Sequence, residues 1–128
     1  MFRDVNLISM AVVQVQSVPG TNASTRILRL SGPFTIEGVD AFESVASTMT
    51  EPLVIIDLTG VPYMDSCALG ALMGLHRPSE SHQRQYAVVG PSERLRAIFC
   101  ITRVDDILVQ FGSVEEAEQK LGAKAAGL

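Results

Sequence analysis

The sequence has no tryptophan, only two cysteines and two histidines, and no cluster of basic residues. Its 10 Lys and Arg are outnumbered by 14 Asp and Glu, which gives a formal net charge of -4. Nucleic-acid binding through a basic face is therefore disfavoured, and a protein is the expected partner. Two cysteines do not build a disulfide framework, which favours a reducing, cytoplasmic location. Two cysteines and two histidines also predict no structural zinc site.

Long hydrophobic runs are absent as well. The apolar runs are only a few residues long, such as Leu53–Ile56, whereas a membrane-spanning helix needs about 20. The apolar N-terminal stretch is broken by Asp4, Asn6 and Ser9 and is followed by no cleavage signal, so neither membrane insertion nor a signal peptide is expected. A length of 128 residues fits one domain, which we predict over residues 1–128. Aromatic residues make up only 5% of the chain, so its core must be aliphatic.

The hydrophobic pattern switches repeatedly between the period of a strand and that of a helix. Two strands come first, and strands and helices alternate after them, which indicates a mainly parallel sheet packed by helices. We expect a mixed α/β fold of about five strands, with an antiparallel N-terminal edge strand and about four helices. The predicted strands cover 10–18, 25–31, 53–58, 86–90 and 107–111, and the predicted helices cover 38–50, a segment from about 65 to a break at Pro78, 92–102 and 113–121.

The most unusual local sequence follows the buried strand Leu53–Leu58. Asp65 is a good N-cap for the second helix, and Met64 and Leu69 stand where a hydrophobic staple belongs. A carboxylate, a hydroxyl and a thiol thus meet at a helix N-terminus, which favours an anion such as a phosphate on a side chain. The plainer interpretation is that Asp65 and Ser66 only cap the helix.

Here the chain resembles a family. The stretch from Val54 to Leu72 (VIIDLTGVPYMDSCALGAL) resembles the signature of the STAS domain, found in bacterial anti-sigma factor antagonists and in the cytoplasmic tails of sulfate transporters. The resemblance continues in Val88–Ser92 and Ile101–Leu108 and ends in Ser113–Ala117. It covers roughly residues 10–121, which sets the expected core of a single STAS domain, and it implies the STAS fold.

The resemblance also implies a function without catalysis and without a cofactor. An antagonist of this family binds an anti-sigma factor that is also a Ser/Thr kinase, and phosphorylation at the start of the second helix then ends the partnership. The expected oligomeric state is a monomer or weak homodimer. The expected contact surface is the loop and helix start, with help from the Gly32–Ile36 loop; it comprises Tyr63, Met64, Asp65, Ser66, Cys67, Ala68 and Leu69.

The sequence departs from the family pattern at the position that matters most. The family reads Asp-Ser-Ser-Gly or Asp-Ser-Thr-Gly and phosphorylates the second hydroxyl, whereas this chain has Asp65-Ser66-Cys67-Ala68. Either Ser66 has become the phosphoacceptor, which makes it the candidate, or the switch is lost. A second departure is Arg103, where the family has glycine after the third helix, and it affects how that helix is capped.

Other functions remain as alternatives. Similar domains serve as non-phosphorylated scaffolds in stress-signalling complexes, or as subunits that bind the ATPase of a lipid-transport ABC complex. Cys67 near a helix N-terminus is a candidate redox sensor, or a small semi-buried residue in place of serine. A hydrolase is disfavoured, since the Gly-x-Ser-x-Gly signature is missing, His76 lies too far along the helix from Ser66, and His82 lies in a polar loop.

Overall fold

The computed structural model describes residues 12–75 and 84–125, which contain five strands and four α-helices. The strands are β1 (Gln14–Pro19), β2 (Thr25–Ser31), β3 (Leu53–Gly60), β4 (Gln85–Val89) and β5 (Gln110–Phe111). The helices are α1 (Ile36–Ala46), α2 (Ser66–Gly74), α3 (Glu93–Ile101) and α4 (Val114–Ala125), and a short 3-10 helix spans Val104–Asp106. The predicted contact surface at the start of the second helix therefore lies within the described residues.

The strands form one sheet in the order β1-β2-β3-β4-β5. Strand β1 runs antiparallel to β2, and every other neighbouring pair is parallel. This confirms the mixed, mainly parallel sheet and its antiparallel edge strand. In β1, Gln14 and Gln16 are exposed while Val15 is half-buried, as the alternation predicted.

Strand β3 is buried on both faces because helices cover both sides of the sheet. Ile56 and Leu58 join the larger apolar cluster, which includes Phe42 of α1, Leu72 of α2 and Phe99 of α3. The alternate residues Leu53 and Ile55 join a smaller cluster with Ala117 of α4. The run of β-branched and leucine side chains is the sequence signal for this double burial.

Several predicted element boundaries differ from the structure, including the end of α1, the start of β5 and the end of α4. Helix α1 ends at Ala46, so the buried Met49 follows it in a turn. The last strand is Gln110–Phe111 rather than 107–111, because Ile107 and Leu108 both donate backbone hydrogen bonds to Val104 O and close a turn. Helix α4 continues past Leu121 to Ala125.

The pattern Ser113-Val114-Glu115-Glu116 predicts a capping box at the start of α4, in which Ser113 Oγ and the Glu116 carboxylate each accept from the other residue's backbone N–H. Ser113 Oγ caps α4 by accepting from Glu116 N at 3.2 Å, but the Glu116 carboxylate accepts from Gly112 N rather than from Ser113 N.

Among the described residues, no helix is long and apolar enough to cross a membrane. The predictions for His76, Pro78 and His82 lie outside the described residues.

Arg103 ends helix α3 in the left-handed conformation, with φ of 63°. It follows the C-cap Thr102, and its N–H donates to Cys100 O at 3.1 Å. Helices commonly end in this way, and glycine is the usual residue there because a Cβ makes the left-handed region costly. The sequence expectation that Arg103 affects the cap therefore has a structural reason.

Replacing Arg103 with glycine should raise the free energy of unfolding by about 0.5–1 kcal/mol, since relief of the left-handed strain exceeds the entropy that glycine adds to the unfolded chain. Urea denaturation at neutral pH measures the change. Arg103→Ala is the matched control and should show no gain, because alanine keeps the Cβ. Equal stabilisation by both substitutions would mean that loss of the arginine side chain, not backbone strain, is responsible.

Candidate functional site

The site forms where two loops are joined at the carboxyl ends of β2 and β3. Phe34 N donates to Tyr63 O at 3.0 Å, and Asp65 N donates to Phe34 O at 3.2 Å, so a single parallel bridge links Phe34 and Met64. The predicted Gly32–Ile36 loop is thereby held against the start of α2. This brings together the two segments that the sequence assigned to one surface.

Asp65 caps both helices that begin at this junction. Its Oδ1 accepts from Ala68 N at 2.8 Å, which makes it the N-cap of α2. Its Oδ2 accepts from Ile36 N at 2.9 Å, at the first residue of α1. Thr35, the N-cap residue of α1, makes no side-chain capping hydrogen bond of its own. One carboxylate therefore links the start of α1 to the start of α2.

The same contacts favour the charged form of the carboxylate. The hydrogen bond from Ala68 N lowers the pKa of Asp65 below its ordinary value; partial desolvation opposes this, and hydrogen bonds from the backbone N–H groups of Ile36 and Cys67 add to it. Asp65 is therefore ionised throughout the neutral range. Its charge lies at two helix N-termini, where a negative charge is favourable.

Exposure divides the seven residues assigned to the contact surface. Ser66 and Cys67 are exposed, Tyr63 is 39% exposed, and Asp65 is half-buried. The other three are buried in the larger apolar cluster, and they support the surface from beneath instead of forming it: Met64, Ala68 and Leu69. The burial of Met64 and Leu69 on either side of the Asp65 cap is consistent with the predicted staple.

Ile36 adds an exposed apolar side chain to the site. It is 62% exposed, and its own N–H is bound by Asp65. Large apolar side chains exposed next to one another on a folded domain mark interaction surfaces. Ile36, Tyr63, Ser66 and Cys67 are named here the contact face.

Helix α3 also reaches this site. The Arg94 guanidinium carbon lies 5.4 Å from the centroid of the Tyr63 ring, a distance typical of a cation–π contact. No sequence pattern indicated this pairing, since Tyr63 lies in a loop and Arg94 in a helix far from it in the chain. It became visible only in the folded structure.

Both cysteines are free and exposed. Cys67 is therefore not the semi-buried filler that was one interpretation of the sequence, because it stands on the open side of the first turn of α2. Gly70, one turn further, is also exposed, and a Cβ added there would meet no described atom within 4 Å. Within residues 12–75 and 84–125, no three His, Cys, Asp or Glu side chains are placed to hold a metal ion.

Comparison with protein families gives a match over most of the chain. The model of the STAS domain matches residues 12–117. The Anti-sigma-B factor antagonist of Listeria monocytogenes is 42% identical over 53 residues, which are 41% of this chain and 46% of that protein. The chain thus spans about half the length of the curated relatives that it matches.

Solved structures share the fold at low sequence identity. A sulfate transporter family protein from Wolinella succinogenes superposes with a TM-score of 0.74 at 18% identity, covering 85% of this chain and 93% of that one. The Bacillus cell fate determinant SpoIIAA in its phosphorylated form gives a TM-score of 0.65 at 20% identity, covering 84% and 99%. At this identity the likeness concerns the fold alone.

Proposed function

The chain belongs to the STAS domain family, and from this premise we propose that it is an anti-sigma factor antagonist that acts by protein–protein contact and catalyses no reaction of its own. It binds an anti-sigma factor with Ser/Thr kinase activity and so influences transcription that depends on the sigma factor. It does this in the cytoplasm, as a monomer or weak homodimer. The matched curated relatives are described as antagonists of the anti-sigma-B factor, which supports the proposal.

The observation that carries the proposal is the contact face itself. An exposed hydroxyl, Ser66, stands at the N-terminus of α2, and the exposed apolar side chains Ile36 and Tyr63 belong to the two segments that are joined at this helix start. The Asp65 carboxylate links the starts of α1 and α2, which carry Ile36 and Ser66. A preorganised apolar surface loses little conformational entropy on binding, so it suits a protein partner.

A phosphate on Ser66 would switch this face off. In the proposed step the anti-sigma factor transfers the γ-phosphoryl group of ATP to Ser66 Oγ, which loses its proton, and ADP is released. The product adds about two negative charges to a surface that loses water on binding, where an unpaired charge costs several kcal/mol. The structural neighbour SpoIIAA is described in a phosphorylated form. Cys67 holds the position of the family's acceptor, which leaves Ser66 as the available hydroxyl.

Gly70 supports an extension of the contact face along α2. A glycine inside a helix costs about 0.5–1 kcal/mol relative to alanine. The described part of this chain gives no steric reason for it, because an added Cβ would meet open space. A partner that approaches the α2 backbone closely would supply one.

A second candidate function rests on Cys67 and Ala68. Because the family's acceptor hydroxyl and following glycine are replaced here, the chain also fits a non-phosphorylated scaffold in a stress-signalling complex, or a subunit that binds the ATPase of a lipid-transport ABC complex. In that case partner binding would be constitutive. Phosphorylation of the bound chain separates the two functions.

The test is a purified panel: each kinase-type anti-sigma factor and each lipid-transport ABC ATPase of the native host, titrated with the chain by calorimetry. We expect micromolar or tighter binding to an anti-sigma factor, and one phosphate on the chain after ATP is added. Mass spectrometry of the Ser66→Ala variant, treated in parallel, should find none. Binding to an ATPase alone would establish the second function in place of the first.

A further inference from the structure

Arg94 is an exposed cation that the described chain leaves without an acidic partner. The ion pairs in the described residues join Arg26 to Glu51 and Arg29 to Asp57, both away from this helix. No described carboxylate oxygen lies within 4.0 Å of the Arg94 guanidinium. Its stabilising contact is the face of the Tyr63 ring.

The position of Arg94 in its helix makes this absence informative. Ser92 is the N-cap of α3, so Arg94 is the second residue of the first turn. The free backbone N–H groups and the helix dipole make a positive charge unfavourable at this end of the helix. Neither α3 nor the core gains from a cation at this point.

Stacking on Tyr63 gives the guanidinium a defined place on the molecule. A long arginine side chain loses considerable rotamer freedom when a partner binds it, and a contact already made in the free protein reduces that loss. Tyr63 belongs to the contact face, and Ser66 follows it by three residues in the chain. The guanidinium therefore extends the apolar contact face with one positive charge.

We propose that Arg94 is a specificity-determining residue whose guanidinium, held over the Tyr63 ring, pairs with a carboxylate on the anti-sigma factor. The inference rests on the proposed function and names the chemistry of its partner: an acidic side chain beside an apolar depression that receives Tyr63 and Ile36. The unpaired charge of Arg94 and its continuity with the contact face are the grounds for choosing a carboxylate.

An acidic partner surface also explains the direction of the switch. A phosphate on Ser66 brings a second negative group towards the same carboxylate, and like charges brought together in a contact oppose binding. It also offers Arg94 a competing anion within the chain, and arginine binds phosphate well. Both effects weaken the modified complex, and the second needs the positive charge of Arg94.

The test is a titration of the anti-sigma factor that binds the wild-type chain, by calorimetry at two salt concentrations. Arg94→Gln, which keeps length but removes charge, should weaken binding about 10-fold, and Arg94→Glu at least about 100-fold. Arg96→Gln is the matched control. Arg96 is an exposed arginine of the same helix that lines a separate cleft beside Phe111 and Glu116, and its loss should change affinity less than about 3-fold.

A further pair of variants tests the stacking. Tyr63→Phe retains a ring under the guanidinium and should preserve most of the Arg94 effect, whereas in a Tyr63→Leu background the cost of Arg94→Gln should shrink to less than half. An Arg94→Gln variant that binds like the wild type, or as well as Arg96→Gln, would overturn this inference but not the proposed function. A wild-type chain that binds no anti-sigma factor of the host would overturn the proposed function and this inference with it.

Discussion

Replacing Ser66 with aspartate is expected to weaken binding to the anti-sigma factor by at least about 100-fold. Ser66 is exposed at the first position of α2, directly after the Asp65 cap that also binds Ile36 N. A carboxylate there must lose its water when the partner closes over the contact face, and an unpaired charge in such a contact costs about 3–5 kcal/mol. Each 1.4 kcal/mol is about a tenfold change in affinity, so the loss reaches the stated size.

The free protein should not be harmed by this substitution. A negative charge in the first turn of α2 is favourable to the helix, and the Ser66 side chain makes none of the capping contacts, which come from Asp65. Its unfolding curve in urea should therefore match that of the wild type. A loss of binding with unchanged stability assigns the effect to the contact face.

Two variants serve as controls for the charge. Ser66→Ala removes the hydroxyl without adding charge. It should bind within about 3-fold of the wild type, because substitutions at exposed positions away from special contacts have small effects. Cys67→Ser should do the same, because thiol and hydroxyl have similar size at an exposed position. Calorimetry that finds equal affinity for the wild type and Ser66→Asp would remove Ser66 as the switch.

The parts of the fold that the sequence predicted well are those with a local signal. The buried run Leu53–Leu58 identified the central strand because β-branched residues without polar interruption suit a strand covered on both faces. Asp65 and Ser92 marked the starts of α2 and α3, since capping depends on residues within one turn. Strand β5 was predicted too long because Ile107 and Leu108 are apolar residues that suit a strand, but their N–H groups close a turn onto Val104 O.

The relations within the site had no such local signal. The hydrogen bond from Ile36 N to Asp65 joins residues 29 positions apart in the chain. The contact between Arg94 and Tyr63 joins α3 to the loop that precedes α2. Both depend on how α1 and α3 pack on the sheet, which periodicity does not determine. The sequence thus predicted the segments of the contact face, but not what holds them together.

Replacing Asp65 with alanine is expected to lower the free energy of unfolding by about 2 kcal/mol. Loss of an N-cap side chain costs about 1 kcal/mol, and here the same change also removes the acceptor for Ile36 N, a charge-assisted hydrogen bond worth about 1 kcal/mol or more. Urea denaturation at neutral pH measures the sum. Binding should fall as well, since Ile36 loses its fixed position next to α2.

Asp65→Asn distinguishes a double cap from a single one. Asparagine is as good an N-cap as aspartate, so it keeps the hydrogen bond from Ala68 N. Its amide nitrogen then faces Ile36 N, and two donors do not pair. Asp65→Asn should therefore lose about 1 kcal/mol, between the wild type and Asp65→Ala. An asparagine variant as stable as the wild type would show that Asp65 caps α2 alone.

The pH dependence of the folding stability tests the contribution of the Asp65 charge. The pKa of Asp65 is lowered in the folded chain, chiefly by the hydrogen bond from Ala68 N, so its carboxylate stabilises the fold fully above the unfolded pKa of about 3.9. That contribution is lost as the pH falls through the folded pKa. The stability difference between wild type and Asp65→Asn should thus be constant near neutral pH and shrink below about pH 4, as the carboxylate binds its proton. A difference that stays constant down to pH 3 would assign it to side-chain shape instead of charge.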